Sequence, residues 1–280
     1  MNSHIPSNTR RLLYALATLA AILLTTPLPA AALEIKLADI VGGGDGSGTG
    51  TPGSGIDPSN GGTTFPGMFQ ISQTNDTDSY HSSIVNFVDG VFIPDGGAGS
   101  VTLDSAGHSF GAFPNTDSLS WDLIRDGANQ NSGTVLDGVN YASGVHTLLG
   151  LHANKGITFD LQAIAAANPG FVSDRFTGVA GLSHIAGGYG TADWWVFVDG
   201  VLAQSQANSP GGVGFGIDVP LTSASQFLTL VSTNAGDDFL VDQIIFGDPV
   251  LHLTAVPEPG SFVLAACGCA ILGVVRRRRR

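Results

Sequence analysis

The sequence predicts a mostly β protein, an antiparallel β-sandwich with one short helix, set between two terminal targeting segments. Three observations carry this. Of the 22 acidic residues ahead of the C-terminal segment, 21 are Asp and only Glu34 is Glu; Asp beside Gly belongs to turns, whereas Glu and Lys dominate helix surfaces. Short runs of β-branched and aromatic residues recur around Asp-Gly pairs, the signal for tight hairpins. Both cysteines, Cys267 and Cys269, sit in the C-terminal apolar stretch, so an exported body would rest on its core or on bound metal rather than on disulfides.

From the N-terminus, Arg10 and Arg11 precede an apolar run from Leu12 to Leu24, then Pro27 and Pro29, then Ala30, Ala31 and Ala32. Basic, apolar and small-residue regions in that order make residues 1–32 a secretory signal peptide cut after Ala32. The run falls short of the roughly 20 apolar residues of a permanent span. Residues 33–81 read as an N-terminal strand, Glu34 to Val41, and a Gly-rich loop or linker with ten glycines between Gly42 and Gly62. Gly48-Thr49-Gly50-Thr51-Pro52-Gly53 matches the dinucleotide fingerprint by letter. Pro52 interrupts it and no apolar helix follows, so it is not read as a nicotinamide site.

Residues 82–253 carry the sandwich. Asp89-Gly90, Asp137-Gly138 and Asp199-Gly200 are each followed by an apolar residue and predict hairpins. Leu161 to Ala167 predicts the helix, capped by Asp160 and stopped by Asn168-Pro169-Gly170. Phe176 to Ala180, Trp194 to Val198, Phe215 to Val219, Phe227 to Thr233 and Val241 to Phe246 predict strands, at a spacing that suits a sandwich.

Residues 254–280 hold Pro257, Glu258 and Pro259, then an apolar stretch from Ser261 to Val275 read as a transmembrane helix, then Arg276, Arg277, Arg278, Arg279 and Arg280. Arginines stay cytoplasmic, which places the body outside. This tail resembles the PEP-CTERM sorting signal of Gram-negative bacteria. The resemblance implies an exosortase as processing partner, cleavage near Pro257 to Pro259, transient anchoring in the inner membrane, and delivery to the cell surface or extracellular matrix.

Without the two targeting segments the chain has four basic residues, Lys36, Arg125, Lys155 and Arg175, against 22 acidic ones, a formal charge of −18. Nucleic acid and anionic lipid need clustered cations and are excluded as partners. Catalytic signals are absent too: there is no Gly-x-Ser-x-Gly elbow and no cysteine in the body, and the Asp76/Asp78 and Asp237/Asp238 pairs sit in loops. The chain is read as a non-enzyme.

Several segments resemble, in order, the NPCBM family of carbohydrate-binding modules. Gly150-Leu151-His152-Ala153 through Asp160-Leu161 is similar to its Gly-x-His-Ala stretch and Asp-Leu corner. Phe176 to Gly181, Trp195 to Gly200, Leu228 to Val231 and Gly236 to Asp242 look like its later strands, hairpin and acidic closing loop. The resemblance implies a galactose-binding-like jelly roll and, as partner, a polysaccharide or cell-surface glycan. At the end this chain has Val241-Asp242-Gln243-Ile244 where the family often places His-Ala-Asp-Trp.

Sugar sites pair an aromatic face with carboxylate, amide or imidazole groups. His152, Tyr189, Trp194 and Trp195 are the carbohydrate candidates. Adjacent tryptophans on a strand face opposite sides, so one belongs to the core; His152, flanked by Leu151 and Ala153, reads more readily as a hydrogen-bonded structural group than as a ligand contact. Calcium takes hard oxygens from Asp-rich loops, and Asn234, Asp237, Asp238 and Asp242 are the candidate ligands of a structural Ca2+; a solvated acidic hairpin turn is the alternative. The function expected is that of an exported surface or matrix protein binding carbohydrate, the alternative being a structural or adhesive protein that binds other proteins and no sugar.

Overall fold

A computed structural model describes residues 32–65, 71–73, 80–94, 99–111, 113, 116, 119–129, 132–183, 190–236 and 241–256. Residues 1–31, which hold nearly all of the expected signal peptide, and the tail from Pro257 onward, with the stretch read as transmembrane, lie outside these, and no helix among the described residues is long and apolar enough to cross a membrane. Leu33–Thr254 form one compact unit.

Its fold is an antiparallel β-sandwich, as the composition predicts. One sheet runs Phe215–Pro220, Phe171–Leu182, Gln243–Ala255, Leu148–His152, Ile124–Asp126, Gly55–Ile56, Thr63–Thr64, and Ala32–Lys36 pairs with Gln243–Ala255 as its eighth strand. The facing sheet runs Val201–Ser209, Ala192–Val198, Phe227–Thr233, Lys155–Asp160, Val88–Phe92, His81–Ser82. Leu149, Leu151, Phe176, Ile217, Ile244 and Phe246 of the first interdigitate with Val91, Ile157, Phe159, Trp194, Val196, Leu228 and Leu230 of the second. Alternation along each strand sends the intervening residues outward.

The outer faces are apolar as well, and each has a cover. Over the six-stranded sheet, Val101, Phe110 and Phe113 close on Phe92, Trp195, Phe197 and Val231. Over the eight-stranded sheet, Leu136 and Tyr141 close on Leu148, Ile245 and Val179. Central strands are therefore buried on both faces, which is why Phe227–Thr233 has no exposed residue, Thr229, Ser232 and Thr233 included.

The helix is Leu161–Ala167, with Asp160 Oδ1 accepting from Ala163 N at 2.8 Å. Asp137-Gly138 and Asp199-Gly200 each have two positive φ angles, 47° and 81°, 49° and 74°. Leu136 pairs with Val139 and Val198 with Val201 across them, as two-residue type I′ turns require.

Three expectations are corrected. Asp89-Gly90 is not a turn but lies inside the strand Val88–Phe92, with Gly90 paired to both Ser82 and Thr158. A Cβ on residue 90 would fall 2.3 Å from Tyr80 Cζ, so the glycine admits a ring, and the Asp89 carboxylate accepts from Tyr80 Oη and Ser105. The strand expected from Glu34 to Val41 stops at Lys36, and Leu37–Val41 is a fully buried helical turn; five apolar-rich residues fit either period. Gln243–Ala255 outruns its predicted end at Phe246, running on through Asp248 at φ 45° to Ala255.

Candidate functional site

Of the residues singled out from sequence, His152, Asn234 and Asp242 meet at the end of the sandwich where Leu148–His152 pairs with Gln243. His152 pairs with Gln243 and is buried, and its Nδ1 donates to the Ala153 carbonyl at 3.0 Å. Burial, with the neighbouring Lys155 cation, pushes its pKa down to about 3, so the ring stays neutral. Lys155 is wholly buried beside it, and its Nζ donates to the carbonyls of Trp121 at 2.5 Å and His152 at 2.9 Å.

The tryptophans do face opposite ways. Trp194 is 1% exposed in the inter-sheet core, against Phe215 and Phe246. Trp195 lies under the cover of Phe110 and Phe113, and its Nε1 donates to Thr233 Oγ1 at 3.1 Å. Trp194 has no ring face to offer a ligand, and Trp195 is partly buried. Tyr189 lies outside the described residues.

Of the calcium candidates, Asp237 and Asp238 also lie outside the described residues. Asn234 and Asp242 are buried, and both meet one turn: Asn234 N donates to Asn154 Oδ1 at 2.9 Å, and Ala153 N donates to the Asp242 carbonyl at 2.8 Å. Among the described residues no group of three or more His, Cys, Asp or Glu is arranged to hold a metal ion.

At the opposite end of Leu148–His152 the structure has a cleft of about 540 Å³ that the sequence reading missed. One wall is Lys36, Asp39 and the Gly-rich loop, another is Asp126, and the third is Tyr141 and His146. The loop is no linker. Asp39 gathers it, Oδ2 accepting from Gly46 N at 2.7 Å and Oδ1 from Gly50 N at 2.6 Å. Arg125, paired with the buried Asp122 at 2.8 Å, holds its far side through the Gly53 carbonyl at 2.6 Å.

Asp126 differs from Asp39. Its half-buried carboxyl has no hydrogen bond or ion pair with the described residues, and it packs over Gly42, where a Cβ would fall 2.5 Å from Oδ2. Burial first and the Asp39 charge second push its pKa up to about 6. On the third wall the Tyr141 and His146 rings meet edge to face at 5.4 Å, and His146 Nδ1 donates to Asp248 Oδ2 at 2.6 Å. The only sequence signal for this cleft was the Gly-rich loop, which says nothing of what lies across from it.

The last described strand ends at Ala255, where the sorting tail begins. Residues 255–280 match the PEP-CTERM protein-sorting motif. The PEP-CTERM tail marks the chain as an exported protein. No curated protein matches the chain. Among solved structures, CBM51 from Clostridium perfringens GH95 in complex with methyl-galactose is 22% identical, the match covering 46% of this chain and 86% of that one at a TM-score of 0.38. The tandem CBM51 modules of Sp3GH98, a family 98 glycoside hydrolase from Streptococcus pneumoniae, are 18% identical over 45% of this chain and 36% of theirs, with a TM-score of 0.33. The M60 catalytic domain with two CBM51 domains from Clostridium perfringens ZmpB is 17% identical over 68% of this chain and 20% of that one, with a TM-score of 0.39.

Proposed function

We propose that this exported protein is a non-catalytic binder of a polysaccharide of the cell surface or matrix, and that an exosortase cuts it near Pro257–Pro259 after the tail has held it at the inner membrane. The observation that carries the reading is the order of the NPCBM-like segments along the body. Gly150–Leu161 falls in two strands and the capped corner that follows, Trp195–Gly200 in a strand and its type I′ turn, and Leu228–Val231 in a strand between them. The test is retention of the purified chain on immobilised polysaccharides, the host's own exopolysaccharide included. Retention on at least one is expected, and a folded sample that passes through all of them overturns the reading.

A second reading, a structural surface protein that meets other proteins and no sugar, draws on the burial of Trp194 and the roof over Trp195. Cross-linking on intact cells separates the two. A single protein partner recovered by the chain, with no retention on polysaccharide, favours the second.

A further inference from the structure

We propose that the cleft between the Gly-rich loop and the Tyr141–His146 wall is the saccharide site, taking an uncharged hexose-type unit whose neighbouring hydroxyls donate to the Asp126 carboxylate while Lys36 donates to a third oxygen. This rests on the carbohydrate reading above and gives it a location away from the His152 and tryptophan positions.

Asp126 is the reason for the choice. A carboxylate taken partly out of water without a compensating hydrogen bond is unfavourable, and two adjacent hydroxyls supply the two donors it lacks. Asp39, its neighbour in the cleft, is already engaged by Gly46 N and Gly50 N through both oxygens, so the free acceptor capacity lies on Asp126. Burial and the Asp39 charge hold its pKa near 6, which leaves the carboxylate ionised at neutral pH.

Charge then selects the class of sugar. Asp39, Asp126 and Asp248 outweigh Lys36 around the opening, so uronate, sulfate and phosphate groups meet a net negative field. Among the described residues no group of three or more His, Cys, Asp or Glu converges here to hold a divalent ion. A cationic amino sugar would suit Asp126 but not Lys36 on the facing wall. The volume suits one or two sugar rings. Tyr141 is buried in the cover over the sheet, and the exposed His146 ring, packed edge to face on it, gives the sugar's apolar face a firm side.

Affinity electrophoresis tests this with the full chain in gels holding the host exopolysaccharide, neutral galactan and glucan, polygalacturonate or chitosan. Asp126→Asn keeps shape and removes the charge; Ala142→Trp, at an exposed position on the rim, fills the opening. Retardation by a neutral polymer is expected, weakened at least about tenfold by either substitution, and unchanged by Arg175→Gln on an exposed surface pair elsewhere. Retardation by a neutral polymer that Asp126→Asn and Ala142→Trp leave intact overturns the cleft and spares the carbohydrate reading. Retardation only by polygalacturonate or only by chitosan overturns the neutral-sugar assignment. Retardation by nothing overturns both. Matching circular dichroism melts show whether a variant has lost its fold, in which case the other variant decides.

Discussion

Lys155, at the start of the strand Lys155–Asp160, is fully buried and donates its ammonium to two carbonyls, Trp121 and His152. Burial lowers its pKa from 10.5 to about 7. Between those values the unfolded chain holds a proton that the folded chain does not, so stability rises with pH across that window and is constant below it. The full span corresponds to roughly 4–5 kcal/mol. Urea denaturation at pH 7 through 9.5 is expected to show the rise, and Lys155→Met to flatten it; a slope unchanged in the variant would place the titration elsewhere. His152 acts in the same direction lower down, between about 3 and 6.5. The burial of Lys155 had no signal in the sequence, whereas His152, flanked by Leu151 and Ala153, already read there as a hydrogen-bonded structural group. The sequence could say that Trp194 and Trp195 part company, because strand alternation demands it. It could not say that both faces of the sheet are covered, because the covers come from residues about eighty positions earlier.

At the scale of elements, the local chemistry that was decisive in sequence is decisive in structure. Asp160 and Asn168 bound the helix as expected, and two of three Asp-Gly pairs turn hairpins. Asp89-Gly90 failed because the same dipeptide also serves a strand that must admit the Tyr80 ring, a demand from another part of the chain. The two hairpin glycines allow a quantitative check. Gly138 has φ 81° with open space around a would-be Cβ, whereas Gly200 has φ 74° and a would-be Cβ 2.5 Å from His108 Cβ. Gly138→Ala is expected to cost about 1 kcal/mol, the left-handed penalty alone. Gly200→Ala adds a clash to it and is expected to cost about 2–4 kcal/mol. Equal denaturation midpoints for the two variants would contradict the packing of His108 on that turn.

Over the whole molecule, architecture and export were legible because each is written in contiguous residues: the turn chemistry, the apolar runs, the tail. The cleft was not, because residues near positions 36–53, 126 and 141–148 meet only after the sheet has formed. Processing makes its own prediction. Intact mass of the surface-exposed form is expected to end near Pro257, without Arg276 to Arg280, and a mature protein that keeps them would refute exosortase cleavage. The route by which the tail leaves the body has a mechanical side. Gln243–Ala255 runs between Leu148–His152 and Phe171–Leu182 in the middle of its sheet. Tension on the C-terminus therefore loads two ladders in shear, many hydrogen bonds at once, instead of peeling them singly as it would from an edge strand. A tail held at the membrane, as proposed above, would pass drag on the body into that doubly paired strand.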